Sequence, residues 1–499
     1  MSQESSLENE VEQLVQSPLM PYTSGIDGFT VHSKCPYAAD GIRGLIHAIE
    51  AIGRYDQRAL NVAAPQDLVL ITGNTYDKDY VQWLHDVGLG THPDNVVLLP
   101  EDGNIPLADR LLGDDRLLKQ VEARVHNHCD AVGMHGTWHP FWYSSKEREV
   151  AETLELDYFG SETEKIQKFN DKAYFKEMCR AIGVPVIDGV TVSRKLGDDI
   201  SVHYLQYANA LLEGLAKFCG RVFIRGNISA AGNSKKICTL HGGEDSASFN
   251  ETLEWMLSDT EMTAFLVERD CSPRKSPSAM FRILSDGTIY RLSPVGRQIL
   301  LNREHQGNCY PLNGSPHVER ELVEMGVRIA LEKRKRGYVG DFGIDFIESQ
   351  SGLLYPVEEN PRNTGQSALA HFYVQMLHQE TDHIFDDLRF SRRELSLFPD
   401  ALVQKIYNGD IKPRLHMQTV NVKTSANSFK ELHELLGDIL YVPGRSWGVV
   451  PMNIGPLRYT GKFSLVTFAK SEYDFHGVTL LAAARVGVKN VDVLRQLFL

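Results

Sequence analysis

The hairpin that spans residues 340–361 constrains the fold of this chain most. Its sequence, GDFGIDFIE followed after a polar turn by LYPVEENP, consists of two apolar strand patterns, which is typical of a β-hairpin. Side chains alternate between the two faces of a strand. Asp345 on the first strand therefore gathers with Glu358 and Asn360 on the second if the strands pair in register. The pattern predicts a sheet that carries a compact polar site.

Two carboxylates held this close repel each other unless a cation lies between them. Carboxylate and amide oxygens suit Mg²⁺, which takes its remaining ligands from water and nucleotide phosphate. Asp345, Glu358 and Asn360 are therefore candidate metal ligands. The alternative is a solvated hairpin with acids on its edge, and the motif alone does not exclude it. Arg362 and the Asn363-Thr364-Gly365 segment that opens the next helix favour a site.

Composition limits the class of protein. The 499 residues suggest about three domains, and 42% hydrophobic with 23% charged residues is ordinary for a globular protein. The net charge of −13 argues against general nucleic-acid binding. No apolar run reaches the roughly 18 residues that cross a bilayer, and the acidic start lacks the features of a signal peptide, so we expect a cytoplasmic protein with no membrane partner. The seven cysteines are scattered without a CxxC pair, which indicates reduced thiols.

The chain divides into segments of different pattern. The first 26 residues are polar and are expected to be flexible. Residues 27–160 alternate apolar runs with helical stretches, which predicts βαβ units and a parallel sheet. Residues 386–499 mix a charged helix with aromatic strands and are expected to form a separate C-terminal α+β domain. The predicted elements of the α/β domain are strands at 67–73 and 95–100 and helices at 41–53 and 108–125.

The segment RVFIRGNISAAGNSKK (221–236) is a strand that ends at Arg225 and enters a loop of small residues. Such a loop exposes backbone N–H groups that can cover phosphate oxygens. No Gly-Lys-Ser/Thr follows at the spacing of a Walker loop. By itself the segment is more typical of an exposed β-turn.

Two further residues stand where a nucleotide site would use them. Lys172 lies in the first turn of a predicted helix, where the helix dipole disfavours a lysine unless it faces an anion. Glu268 ends the apolar strand in FLVERDCSPRK (265–275), where a carboxylate and strand-end backbone groups can bind an adenine edge. The alternatives are a solvated lysine and a charged residue at a strand exit.

The order of these features resembles the ATP-grasp superfamily: a lysine, a strand with a basic residue and a glycine loop, a strand ending in Glu, and then Asp…Glu-x-Asn. Asp345 precedes Glu358 by 13 positions, which is similar to the metal motif of D-alanine–D-alanine ligases. The Asn360-Pro361-Arg362 sequence is similar to that of biotin carboxylase. The resemblance covers about 160–380, and the overall layout looks most like the pheganomycin-type peptide ligases of natural product biosynthesis.

The resemblance implies an α/β and α+β multidomain protein. A pre-ATP-grasp α/β domain at 27–160 would precede an ATP-grasp domain at 161–385, with a small C-terminal domain after it. Within the ATP-grasp domain, the lid would span about 171–270 and the catalytic hairpins about 277–385.

The resemblance also implies roles for the nucleotide-site residues. Lys172 and Arg225 would hold the α- and β-phosphates of ATP, and the loop from Gly226 to Ser234 would close over the triphosphate. Glu268 would accept a hydrogen bond from the adenine amino group. The remaining nucleotide-binding positions are Ser229 and Gly232 in the loop and Arg269 and Cys271 beside the adenine ring.

The same resemblance gives the catalytic assignments. Asp345, Glu358 and Asn360 would hold two Mg²⁺ ions, for which Mn²⁺ is expected to substitute, and Arg362 would stabilise charge on an acyl phosphate. The chain departs from the family pattern twice. Arg225 stands where the family usually has lysine, and arginine keeps the positive charge. Gly343 replaces a basic residue two positions before Asp345, so its role passes to Arg282 or Arg297.

The implied activity is an ADP-forming carboxylate–amine ligation with amino acids or peptides as substrates, and a homodimer is the family expectation. Three alternatives stay open. They are a kinase with the same fold, a non-catalytic ATP-binding protein, and a ligase that extends a protein tail.

Overall fold

The computed structural model has three β-sheets and is mixed α/β, as the sequence predicts. The helix expected over 41–53 lies almost entirely outside the described residues, as does the domain boundary expected at 386. No described helix combines the length and the apolar character needed to span a membrane. The structure describes residues 3–20, 26–34, 52–73, 75–100, 105–194, 199–228, 234–240, 246–260, 262–301, 304–312, 315–377 and 415–488.

The N-terminal segment forms a helix and then a five-stranded parallel sheet of order β3-β2-β1-β4-β5. The strand expected at 67–73 is buried along its whole length, as expected for a parallel sheet covered on both faces. The stretch expected as one helix over 108–125 forms two, because Asp114 caps the second through its side chain. The elements are α1 (Gln3–Gln16), β1 (Phe29–Ser33), a 3₁₀ helix (Ile52–Asn61), β2 (Leu68–Thr72), α2 (Lys78–Asp86), a 3₁₀ turn (Pro93–Asn95), β3 (Val96–Leu99), α3 (Leu107–Gly113), α4 (Asp115–Val132), β4 (Gly136–Pro140), α5 (Ser145–Thr153) and β5 (Asp157–Tyr158).

The next segment builds a four-stranded antiparallel sheet of order β6-β9-β7-β8. Its own small core lies between this sheet and two helices. We refer to β6–β9 with these two helices as the lid. The elements are α6 (Thr163–Asn170), α7 (Lys172–Ala181), β6 (Gly189–Ser193), α8 (Ile200–Lys217), β7 (Arg221–Gly226), β8 (Lys235–Thr239), α9 (Ser246–Ser258) and β9 (Ala264–Arg269), of which α8 and α9 cover the lid sheet.

The remaining strands form one nine-stranded antiparallel sheet of order β15-β14-β10-β12-β13-β16-β18-β17, with β11 beside β10. Gly287, between β10 and β11, and Gly352, between β14 and β15, adopt positive φ, a backbone conformation that glycine adopts without strain. The elements are β10 (Pro277–Ile283), β11 (Ile289–Arg291), β12 (Gly296–Leu301), β13 (Glu304–Tyr310), α10 (Pro316–Lys335), β14 (Gly340–Glu348), β15 (Leu354–Asn360), α11 (Ser367–Leu377), β16 (His416–Lys423), α12 (Phe429–Leu436), a 3₁₀ turn (Gly437–Ile439), β17 (Trp447–Met452), α13 (Leu457–Thr460), β18 (Lys462–Ala469) and α14 (Glu472–Arg485).

Two expectations about the ends of the chain are corrected. The C-terminal strands do not form a sheet of their own, because β16 pairs with β13 and shares a hydrophobic core with the central strands. The N-terminal helix α1 packs along α10. Val11 is buried, and acids of α1 pair with arginines of α10, among them Glu8 with Arg328 at 2.7 Å.

The back of the β14–β15 hairpin carries a buried ion pair. Lys333 of α10 pairs with Glu359 of β15, and both side chains are fully buried. The Lys333 ammonium also lies over the Tyr338 ring at 3.6 Å. Burial lowers the pKa of Lys333 to about 8 and raises that of Glu359. Each charge therefore depends on the other, and Glu359 stays away from the face that carries Glu358.

We predict that Lys333→Met destabilises the protein by about 3–5 kcal/mol, because it leaves the Glu359 carboxylate buried without a partner. The measurement is the unfolding midpoint in urea and by heating. The matched control is Lys335→Met, two positions along the same helix and exposed. Adding Glu359→Leu to Lys333→Met should recover much of the loss. Equal stability of Lys333→Met and Lys335→Met would show that the pair is unimportant.

Candidate nucleotide and metal site

The register of the β14–β15 hairpin brings the predicted metal ligands together. Asp345 lies directly opposite Glu358, and Gly343 lies opposite Asn360. Asn360 donates from Nδ2 to Asp345 Oδ2 at 3.2 Å, which leaves its amide oxygen for a cation. A bulge follows Asp345, and beyond it the strands pair again with the register shifted by one residue.

The electrostatics of the pair fit a divalent cation. Burial, together with the charge of Glu358, raises the pKa of Asp345 to about 7. Asp345 Oδ1 accepts from Gln298 Nε2 at 2.7 Å. No group of three or more His, Cys, Asp or Glu that could hold a metal occurs within the described ranges. Two carboxylates and an amide nevertheless suit Mg²⁺, which uses few protein oxygens when phosphate supplies the others.

Two cations border the carboxylates. Lys172 Nζ lies 3.5 Å from Glu358 Oε2, and its side chain is only 4% exposed. Burial lowers the pKa of Lys172, while Glu358 acts to raise it. The guanidinium of Arg362 lies 5.0 Å from the Trp142 ring centre. Its Nε and Nη1 are buried and have no hydrogen-bond partner among the described residues, so these donors are left for an anion.

The lid contributes a charged cluster that faces the hairpin. Glu268 is buried, with Lys176 Nζ at 2.7 Å from Oε1 and Arg225 Nε at 2.8 Å from Oε2. Burial favours the protonated acid, but these two cations outweigh it and hold the pKa of Glu268 below its usual value. Arg225 Nη1 also donates to the Val357 carbonyl of β15, so this residue joins the lid to the hairpin.

The geometry gives Glu268 a different role from the expected one. Cations engage both of its oxygens, so the geometry does not support the expected hydrogen bond from an adenine amino group to Glu268. The backbone N–H of Arg269 donates to Asp188 O at 3.0 Å, and its Nη2 donates to Tyr355 Oη at 3.0 Å. Cys271 follows at the strand exit, half-buried.

The two described ends of the glycine loop are tightly packed. Gly226 donates its N–H to Ser234 O at 2.9 Å, and a Cβ at Gly226 would lie 2.4 Å from Met262 Sδ. Ser234 Oγ donates to Asp259 Oδ2 at 2.9 Å. Ser229 and Gly232 lie outside the described residues.

Neither arginine expected to replace the basic residue at Gly343 reaches the carboxylate pair. Arg282 is fully buried and forms a two-point ion pair with Asp341, at 2.6 and 3.0 Å. Arg297 pairs with Cys309 in the β12–β13 ladder. Its neighbour Gln298 contacts Asp345, so alternation places Arg297 on the opposite face of the sheet. Both assignments are therefore corrected.

Sequence reasoning missed three residues of the site: Gln298, Lys176 and Trp142. Lys176 follows Lys172 by four positions, which places both on one face of α7, and this spacing was a usable signal. The sequence gives no such signal for Gln298 and Trp142, since their positions depend on the pairing of distant strands and on packing between domains.

We predict that Asp345→Asn raises the melting temperature of the metal-free protein by several degrees at pH 8 and changes it little at pH 4. The pKa of Asp345 is about 7 in the folded chain and about 3.9 when unfolded. Between these values the native state keeps a proton that the unfolded state has lost, so stability falls as pH rises to about 7. Asparagine removes that cost.

The measurement is thermal unfolding against pH, with exposed Asp130→Asn as the control. Parallel curves for Asp345→Asn and wild type would contradict the assignment.

No family model matches the sequence, and no curated protein matches it either. Solved structures do match across most of the chain. Biotin carboxylase from Campylobacter jejuni is 11% identical with a TM-score of 0.50, covering 89% of this chain and 88% of that one.

N5-carboxyaminoimidazole synthase from Aspergillus clavatus is 12% identical with a TM-score of 0.50, covering 92% and 99%. N5-carboxyaminoimidazole synthetase from Staphylococcus aureus is 11% identical with a TM-score of 0.50, covering 92% and 98%. At such low identity the likeness concerns the fold alone. The chain thus has the ATP-grasp fold that its motifs predicted, with an α/β domain before it.

Proposed function

We propose that this chain is an ATP-dependent ligase that activates a carboxylate as an acyl phosphate and joins it to an amine, with release of ADP and phosphate. The observation that carries the proposal is the half-buried pair Asp345 and Glu358, which lies beside Lys172 and beside two donors of Arg362 that have no partner among the described residues. Two of the similar structures contain ATP-type or ADP ligands, which supports a nucleotide as one substrate.

The proposed nucleotide site lies between the lid and the hairpin. Lys172 and Arg225 hold the α- and β-phosphates, with the loop from Gly226 to Ser234 above them. Glu268 fixes the position of Arg225 rather than touching adenine. The adenine ring is proposed to lie at the exit of β9, near Arg269 and Cys271.

Asp345, Glu358 and Asn360 are the residues that would hold magnesium, as two ions in the proposal, with Mn²⁺ as an expected substitute. When bound, the metal supplies charge neutralisation at the phosphates. The protein's own part is to direct both carboxylates at one point. Gln298 contributes by fixing the orientation of Asp345 through its hydrogen bond.

The proposed reaction has two steps. A carboxylate oxygen of one substrate attacks the γ-phosphorus, and the bond to the ADP oxygen breaks. The amine nitrogen of the second substrate then attacks the acyl carbon, phosphate leaves, and the nitrogen loses a proton. Arg362 is placed to donate Nε and Nη1 to the oxygen that carries charge in both steps, and the lid excludes water that would hydrolyse the acyl phosphate.

The finer proposal is peptide-bond formation between amino acids or peptides, as in the pheganomycin-type ligases of natural product biosynthesis. It is supported by the layout of the chain. A homodimer is part of this finer proposal.

We predict that ADP release depends on a carboxylate and an amine together. The measurement is coupled ADP detection with amino acids and short peptides added singly and in pairs. ADP release that requires both a carboxylate and an amine identifies the ligase, because the acyl phosphate turns over only when an amine consumes it. Release with one stable acceptor would identify a kinase, release only with a protein acceptor would identify a tail-extending ligase, and no release under any condition would indicate a binding protein.

We predict that Glu358→Gln lowers ADP formation by at least about 100-fold, an order typical for loss of one charged group at a reaction centre, while thermal unfolding remains cooperative. The amide cannot supply the charge that balances the metal and Lys172. The matched control is Glu149→Gln, an exposed position on α5. Turnover at the wild-type rate in Glu358→Gln would remove the metal assignment.

A further inference from the structure

The residues that follow β15 are held by the end of β4 in the N-terminal domain. Asn363, directly after Arg362, donates from Nδ2 to Pro140 O at 3.0 Å, and the same nitrogen lies 3.1 Å from His139 Nε2. Asn363 is 1% exposed and His139 is fully buried. Both contacts are therefore shielded from water, where a hydrogen bond between protein groups is stronger than at the surface.

The contact with Asn363 requires a neutral His139. An amide nitrogen can only donate, so Nε2 accepts with its lone pair and the ring carries its proton on Nδ1. Burial holds the pKa of His139 well below its usual value, which keeps the ring neutral. The Asp341 carboxylate, 3.3 Å from Nε2, would draw a second proton onto the ring, but Arg282 pairs with both of its oxygens. The Arg282–Asp341 pair thus preserves the form of His139 that binds Asn363.

Arg362 itself is held at two further points. Its backbone N–H donates to Asn360 O at 2.8 Å, and its guanidinium lies 5.0 Å from the Trp142 ring centre. Trp142 lies two residues after the end of β4, so the segment that binds Asn363 also places an aromatic ring against the neighbouring arginine. A mobile arginine side chain loses rotamer freedom when it binds an anion, whereas one that is already held loses little.

We propose that His139 and Pro140, acting through Asn363, are positioning residues for Arg362, and that the N-terminal domain thereby sets the direction in which Arg362 offers its donors to an oxyanion. The inference deepens the proposed function and rests on it, since the oxyanion is that of the acyl phosphate. The α/β domain contributes to the reaction in this way through the main chain after β15, without a contact between His139 and the reacting atoms.

The test is the binding of inorganic phosphate to the full chain with MgADP present, measured by calorimetry. Phosphate represents the group that leaves the acyl phosphate. We expect His139→Leu to weaken phosphate binding at least about 5-fold, because the ordering of Arg362 then opposes binding. The affinity for MgADP should change by less than about 2-fold. His139→Gln should restore most of the phosphate affinity, since its amide oxygen can accept in place of Nε2.

The matched control is His128→Leu, at a second buried histidine of the same domain. His128 Nε2 donates to Gln66 O at 2.7 Å, and its ring lies edge-on to that of a phenylalanine, as the ring of His139 does. This control should leave phosphate binding unchanged. A second comparison places His139→Leu in an Arg362→Gln background, where it should weaken phosphate binding no further, because the residue through which it acts is already lost.

Several outcomes overturn the proposal. They are unchanged phosphate affinity in a folded His139→Leu, a further loss in the Arg362→Gln background, a parallel loss of MgADP binding, and no phosphate binding by the wild type. If His139→Leu does not fold, Asn363→Leu removes the donor of the same contacts and is compared in its place. Because no turnover is needed, failure to form ADP would contradict the proposed function without affecting this result. Phosphate binding that depends on Arg362 but not on His139 would overturn the positioning role alone.

Discussion

The site depends on the placement of two half-buried carboxylates opposite each other on neighbouring strands. Asp345 and Glu358 face one another across the β14–β15 ladder, and burial together with their mutual repulsion makes the arrangement costly without a cation. The chain places Lys172 and Arg362 around the pair, and two donors of Arg362 have no partner within the described part of the chain. Such an uncompensated group is expected where binding completes the electrostatics.

The hairpin meets different requirements on its two faces. One face carries Asp345 and Glu358, and the opposite face carries Glu359, whose charge is matched by Lys333 within an aromatic cage. The consecutive residues Glu358 and Glu359 of β15 therefore lie on opposite faces of the sheet, because side chains alternate along a strand. A one-residue slip in register would exchange them and destroy both the site and the core behind it.

Much of the hairpin site could be predicted from the sequence, because it depends on residues that lie close together along the chain. The hairpin register follows from alternation and a turn at Gly352, and the candidate metal-ligand set follows from that register. The places of Arg282 and Arg297 were not predictable, because proximity along the chain does not reveal which face of a sheet a residue occupies or that Asp341 neutralises Arg282. The role of Glu268 was also hidden, since it depends on Lys176 and Arg225 arriving from two other elements.

The continuation of the central sheet into the C-terminal strands has a consequence for the integrity of the protein. β13 is hydrogen-bonded to β12 on one side and to β16 on the other. A chain that ended after α11 would leave β13 as an open edge with unpaired N–H and C=O groups beside an uncovered apolar surface, the kind of template that recruits other chains. Strands β16–β18 thus protect the central strands from self-association as well as extending their sheet.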